Sequence, residues 1–286
     1  MPIKLLALLY IGCGTTSLIG CTPAVTDQQL LTDITDNQQI TTLNCDGFAS
    51  IHTDVGDLQN NIWNAHSAAD FEWTQCLAER VVDGNSQYGW YWQWPQDGTK
   101  VYAQPQITLG QTPWLEHETA YAGYPVEIAA LQQLNMDYDV EIITQGELNL
   151  SSTLWLTTSP TILSQVDKST IAVEMMIWSY SSAGFYANPA GTKVAEMTAS
   201  GIHWEVWLNK SWHDTSGLND NNWTYLAFRA TTPTTKAHFD IAELLRYSIE
   251  QQLIPEGLYI ADIQLGNEVM SGTGQAWLKH FSVDIR

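Results

Sequence analysis

From Asn44 to Arg286 the chain runs in short segments of alternating apolar and polar residues, broken at intervals by Gly, Pro, Asn and Asp. A period of two sends successive side chains to opposite faces of a strand, so this texture predicts an all-β domain. One stretch departs from it. Between His238 and Gln251, residues Ile241, Leu244, Leu245, Ser248 and Ile249 recur at helical spacing, with Asp240 placed to cap the first turn. No internal repeat and no Pro-rich or Ser-rich linker interrupts residues 44–286, so they are expected to form a single domain: a two-sheet sandwich with one packed helix.

Two strand-like segments place carboxylates where a solvated surface would not. In Ile171–Trp178 the residues Ile171, Val173, Met175 and Ile177 share one apolar face, and Ala172, Glu174, Met176 and Trp178 share the other. A carboxylate between Met and Trp points to a concave sheet face lined by apolar and aromatic groups; an edge-strand Glu facing water is the plainer alternative. In Leu258–Glu268, Tyr259, Ala261, Ile263 and Leu265 fall on one face. Asp262, Gln264 and, if the strand runs regularly, Glu268 fall on the other, with Gly266 able to bend the chain and aim Glu268 inward. Only the fold can bring Glu174 and Glu268 together.

Composition narrows the partner. Eleven Lys and Arg against 31 Asp and Glu give a formal net charge of −20, which repels phosphate backbones and disfavours nucleic acid. Yet only 15% of residues are charged, so much of the polar surface is built from Thr, Ser, Asn and Gln. Thirteen Trp and twelve Tyr provide flat faces on which sugar rings stack, although a core would claim about half of them. The stripe Tyr88, Trp90, Trp92 and Trp94 is expected to divide between core and cleft. Glu116-His117-Glu118 is not a His-Glu-x-x-His metal helix, and no Gly-x-Ser-x-Gly elbow is present. Ser271–Gly274 reads as a flexible turn beside Glu268 rather than a nucleotide loop. No metal or cofactor is expected.

The N-terminus gives a compartment. Met1–Lys4 is a short positive start, and the apolar run beginning at Leu5 is too short to span a bilayer comfortably. It ends in Leu18-Ile19-Gly20-Cys21, which resembles the bacterial lipoprotein box. That resemblance implies a signal peptide over residues 1–20, lipidation of Cys21 and, with Thr22 rather than Asp next, the outer membrane. Residues 21–43 read as a flexible tether, making the lipid anchor the only membrane contact; a monomer is expected. Cys13 leaves with the signal, so Cys45 and Cys76 remain as an even pair in an oxidising compartment. If bridged, they close a loop worth about 3–4 kcal/mol; two unpaired buried thiols are the alternative.

Val173–Trp178 and Gln264–Glu268 closely resemble the two active-site segments of glycoside hydrolase family 12, whose members are endo-β-1,4-glucanases, xyloglucan hydrolases and some mixed-linkage glucanases. Carried across, the resemblance makes Glu174 the nucleophile and Glu268 the general acid/base. It implies a β-jelly roll whose inner sheet curves into an open glycan cleft, and retention of configuration by double displacement, for which the two carboxyls stand about 5–5.5 Å apart. Asn60–Trp63 resembles the family's Asn-Asn-Leu-Trp segment, with Asn61 and Trp63 facing substrate, and Cys45 and Cys76 bracket it as the family's N-terminal disulfide does. Gly89–Trp92 and Val101–Pro105 resemble its aromatic strand and the Pro-containing strand after it. His203–Trp207 resembles a cleft strand, which puts Trp207 with Met176 and Trp178 on the substrate side and Trp204 in the core. One position departs. Where the family carries Tyr-Asp-x-Trp beside the nucleophile, this chain reads Ser152-Thr153-Leu154-Trp155, so Thr153 replaces an Asp that helps hold and tune the nucleophile. A Thr153 hydroxyl could donate to Glu174, or Asp262 could supply the missing charge. The expected activity is endo-hydrolysis of a soluble or amorphous β-glucan, with a lipid-anchored, non-catalytic glycan-binding protein as the alternative.

Overall fold

The computed structural model describes residues 40–114, 121–162, 168–213 and 221–286. The expected signal peptide, Cys21, most of the expected tether and Glu116-His117-Glu118 lie outside the described residues.

Two sheets face each other. The six-stranded sheet runs, in spatial order, β1 (Ile40–Asn44), β4 (Thr74–Val82), β5 (Asn85–Gln93), β16 (Thr273–Ile285), β8 (Leu134–Gln145) and β14 (Lys236–Asp240). The ten-stranded sheet runs β11 (Thr192–Ala199), β12 (Ile202–His213), β13 (Asn222–Ala230), β10 (Ile171–Ser181), β9 (Asn149–Thr157), β15 (Tyr259–Gly266), β6 (Gln106–Gly110), β3 (Gly56–Gln59) and β2 (Ser50–Thr53). A short β7 (Val126–Glu127) pairs with the start of β15. Pairing is antiparallel except between β10 and β13, because the chain passes out through the β11–β12 hairpin before returning beside β10.

The inner faces carry the core. Trp90, Trp92, Trp94, Tyr138 and Phe239 from the smaller sheet and its loops pack against Leu154, Val173, Met175, Ile177, Trp204 and Phe228 from the larger. All three Trp of the aromatic stripe are fully buried, so the stripe does not divide between core and cleft. The reason is positional: β5 belongs to the outer sheet, whose inward face is the core.

The helix α1 (Ile241–Glu250) packs Ile241, Leu244 and Leu245 into this core. Asp240 caps it, its Oδ1 accepting the Ala242 N–H at 2.9 Å. The helical pattern that begins at His238 is thus shortened, because Lys236–Asp240 pairs with β8 as a strand.

The expected end of the tether at residue 43 also moves. Ile40, Thr41 and Thr42 pair with Arg80, Glu79 and Ala78, and the Thr42 hydroxyl meets the Tyr91 hydroxyl at 2.8 Å. Ile40 packs on a small cluster of Cys76, Ala78, Tyr91 and Trp277, which gives this segment a reason to be ordered. The Cys45–Cys76 disulfide then ties the incoming chain to β4.

Candidate active site

Strand parity puts Glu174, Met176 and Trp178 of β10 on the face turned away from the core, as the sequence pattern requires. Two corrections come from bulges. A register shift between Ile171 and Val173 turns Ile171 to the cleft side, where it joins Trp155, Trp223 and Ala261, and Ala172 packs on the core instead. A second shift between Ile260 and Asp262 moves Ile260 to the core and Ala261 to the cleft side. Each bulge restores the alternation beyond it, so the acidic residues keep their predicted faces.

Cross-strand register then lays out the cleft floor. Tyr225, Glu174, Trp155 and Asp262 form one row across β13, β10, β9 and β15. Ala227, Met176, Thr153 and Gln264 form the next. Above them lies a cavity of about 1080 Å³ lined by Glu174, Glu268, Met176, Trp178 and Thr153, with Asn61 and Trp63 at one part of its rim. The structure thus gathers most of the sequence-predicted residues into one place.

Trp207 is the exception. It belongs to the apolar cluster on the cleft side of the sheet, with Met176, Trp178 and Tyr225, but it does not line the cavity. The Arg229 guanidinium lies over its ring, 5.5 Å from the centroid, and donates to Ala187 O and to Asn188 Oδ1 at 3.1 Å. Trp207 therefore supports the wall from behind.

Glu174 accepts a hydrogen bond from the indole Nε1 of Trp223 at 2.8 Å. Glu268 lies past the end of β15. Extended alternation continues through Gly266, so Asn267 turns to the core, where its Oδ1 accepts Trp90 Nε1 at 2.5 Å, and Glu268 turns to the cleft. Gly266 does not supply a bend: a Cβ there would stand 2.4 Å from the Pro105 carbonyl, so the glycine permits close approach. The carboxylate of Glu268 accepts from Asn149 Nδ2, and the Asn149 Oδ1 accepts the Glu268 N–H at 2.9 Å. Burial raises the Glu268 pKa to about 7, with the Asn149 donor pulling it back. The Tyr225 phenol is buried, which keeps it neutral, and the charges of Glu268 and Glu174 push its pKa further up. Both carboxyls line the same cavity, so the two acids converge on one site.

Thr153 stands opposite Met176 and Gln264 rather than Glu174, and its hydroxyl accepts from Gln104 Nε2 at 3.3 Å. Asp262 is fully buried one row away, accepting from Trp155 N at 3.2 Å and Gln264 Nε2 at 2.7 Å. Desolvation raises its pKa to about 7, with donors from Thr112, Gln264 and Trp155 opposing the shift. Ser271–Gly274 is a packed corner rather than a loose turn: Ser271 and Thr273 are buried, and Gly272 has a φ of +78°.

The family model of Glycosyl hydrolase family 12 matches residues 56–286. The chain belongs to this family. As a family member it is a glycoside hydrolase, and its jelly-roll architecture is the one the family resemblance implied. It is similar to the probable xyloglucan-specific endo-β-1,4-glucanase A of Aspergillus terreus, at 25% identity over 80% of this chain and 81% of the relative. It also resembles the xyloglucan-specific endo-β-1,4-glucanase A of Emericella nidulans, at 23% identity over 75% of this chain and 78% of that one. Among solved structures, a family 12 xyloglucanase from Bacillus licheniformis superposes with a TM-score of 0.72 at 25% identity, covering 85% of this chain and 99% of its own. Trichoderma harzianum endoglucanase 3 shares the fold with a TM-score of 0.66 at 15% identity, covering 87% and 98%.

Sequence reasoning missed the partners of the two glutamates. Trp223 and Asn149 contact them only across strand pairs, and an Asn or Trp in a strand carries no mark of what it faces. Trp114, Trp155 and Trp212 also line the cavity, and for Trp155 the alternation with the core residues Leu154 and Leu156 was the one available signal.

Proposed function

We propose that this enzyme is an endo-acting, retaining hydrolase of β-1,4-glucosidic bonds in a soluble or amorphous β-glucan, with Glu174 as nucleophile and Glu268 as general acid/base. The observation that carries the reading is that both carboxyls line one cavity. Glu268 is held near a pKa of about 7, able to give and take a proton at neutral pH, and Glu174 takes the Trp223 indole donor on its Oε2.

In the first step Glu174 bonds to the anomeric carbon as the glycosidic C–O bond breaks, and Glu268 protonates the departing oxygen. In the second, Glu268 takes a proton from water, whose oxygen displaces Glu174 and restores the free carboxylate. The β-glucan class is supported by the relatives' activities, and the aromatic lining of Trp63, Trp114, Trp155 and Trp178 suits stacking of sugar rings.

Two variants test the roles. E174Q should abolish release of reducing sugar from xyloglucan, mixed-linkage glucan and carboxymethylcellulose. E268A should lose polysaccharide turnover but still be glycosylated by an aryl β-glucoside whose phenol leaves without a proton. Substantial polysaccharide turnover by E174Q would remove Glu174 from the nucleophile's role.

The same proposal has the enzyme as a monomer on the outer membrane, and the Leu18-Ile19-Gly20-Cys21 box supports its anchoring there through lipidated Cys21. Mass spectrometry of the mature N-terminus tests this, an unmodified start away from Cys21 being the contrary result.

A further inference from the structure

The wall beside Glu174 is made of indoles. Trp155 stands directly opposite it on β9 and is 8% exposed. On the parallel neighbour β13, Tyr225 is the register partner of Glu174, which leaves Trp223 two residues back on the same face and 6% exposed. Trp114 closes the group: ring centroids are 4.9 Å apart for Trp114 and Trp155, 5.2 Å for Trp114 and Trp223, and 5.5 Å for Trp155 and Trp223.

A carboxylate against such a wall loses water on that side, and burial alone would favour its neutral form. The Trp223 Nε1–H, 2.8 Å from Glu174 Oε2, acts in the opposite direction. An indole nitrogen donates and cannot accept, so it supports a bare oxygen and offers nothing to a carboxylic O–H. In water-poor surroundings such a bond counts for more than at a surface.

We propose that Trp223 is a positioning residue for the reaction, fixing the direction of the Glu174 carboxylate and holding it ionised as a nucleophile. It acts through Glu174, so the inference rests on the reading of Glu174 given above. Among the described residues, the titratable and charged groups around this cavity are Tyr225 on β13, Glu268 past the end of β15, Asp262 beyond Trp155 on β15, Lys168 above the Trp114 ring, and His66, Lys100 and Tyr186 in the lining, with His213 paired to Asn222 beside Trp223. The W223F substitution replaces none of them.

The test is the pH dependence of W223F, which keeps an aromatic ring but removes the donor. Its kcat/KM should fall by about 10-fold or more, and the acidic limb of its profile should rise by about one pH unit. Ile162→Val perturbs the same apolar cluster without touching Glu174 and should leave the acidic limb where it is. An unmoved acidic limb in W223F, with kcat/KM within about twofold of wild type, overturns the proposal. Should W223F not fold, the Trp223 indole N–H resonance of the wild-type enzyme, assigned by triple-resonance NMR, decides instead. A shift with pH that tracks the acidic limb supports the proposal, and a resonance indifferent to pH there overturns it. E174Q separates the two readings: if it remains active, the role of Glu174 falls; if it is dead while W223F behaves as wild type, only the role of Trp223 falls.

Discussion

Asn149 holds Glu268 at both its side chain and its backbone: Nδ2 donates to the carboxylate, and Oδ1 accepts the Glu268 N–H at 2.9 Å. The Asn149 N–H also donates to the Glu268 carbonyl at 3.2 Å, so the start of β9 fixes the segment beyond β15. A donor to the charged form lowers a carboxyl's pKa, and removing it raises that pKa. In Asn149→Ala the basic limb of kcat/KM should therefore move to higher pH, with a loss of about 10-fold in rate from poorer aim. A downward move of that limb would contradict this account of the Asn149 bond.

In the wild-type enzyme the basic limb itself should lie near pH 7, where burial places the Glu268 proton. Activity on polysaccharide should fall as pH rises through that value, because the acid needed for the departing oxygen is lost. For an aryl glycoside with a good leaving group, the rate of glycosylation should stay flat over the same range. Pre-steady-state release of the phenol measures this directly.

Asp262 makes a prediction about stability. Its folded-state pKa, about 7, lies above the unfolded value near 3.8 because the carboxyl is fully buried. The folded state therefore binds the proton more tightly, and stability falls as pH rises from about 4 to about 7 and then levels off. Asp262→Asn removes this dependence. Its unfolding free energy should decline less between those pH values than the wild type's, by up to about 4 kcal/mol at the conversion of 1.36 kcal/mol per pKa unit. Denaturant titrations at the two pH values measure the difference in slope, whatever offset the substitution adds. Parallel declines would show that Asp262 titrates normally.

The Cys45–Cys76 disulfide spans a sequence separation of 31 and pins β1 to β4. Replacing both cysteines by Ser should cost about 3–4 kcal/mol of stability through the unfolded chain's regained freedom. Thermal unfolding should show a lower Tm, while kcat at low temperature stays close to wild type because Glu174 lies on β10 and Glu268 just past β15, outside the pair β1–β4 that the disulfide ties.

Much of this was legible in the sequence, for a physical reason. Strands alternate strictly, so Glu174 between two apolar neighbours could be placed on a second, enclosed face, and Gly-x-Glu could be followed to the same face. What alternation cannot report is an extra residue. The bulges at Ile171 and Ala261 leave no trace in composition, and each exchanged two neighbours between core and cleft. Nor does alternation say which sheet a strand joins, so Trp90 and Trp92 were as open to the cleft as to the core until β5 was placed in the outer sheet. Trp223 and Asn149 were hidden differently: each sits far along the chain from its glutamate, and only pairing brings it within reach.

The proposed double displacement by Glu174 and Glu268 has a stereochemical signature, read by proton NMR of the first reducing ends released from a β-glucan before mutarotation. Two successive inversions predict that the β-anomer appears first and the α-anomer grows in later. An α-anomer formed first would contradict the account.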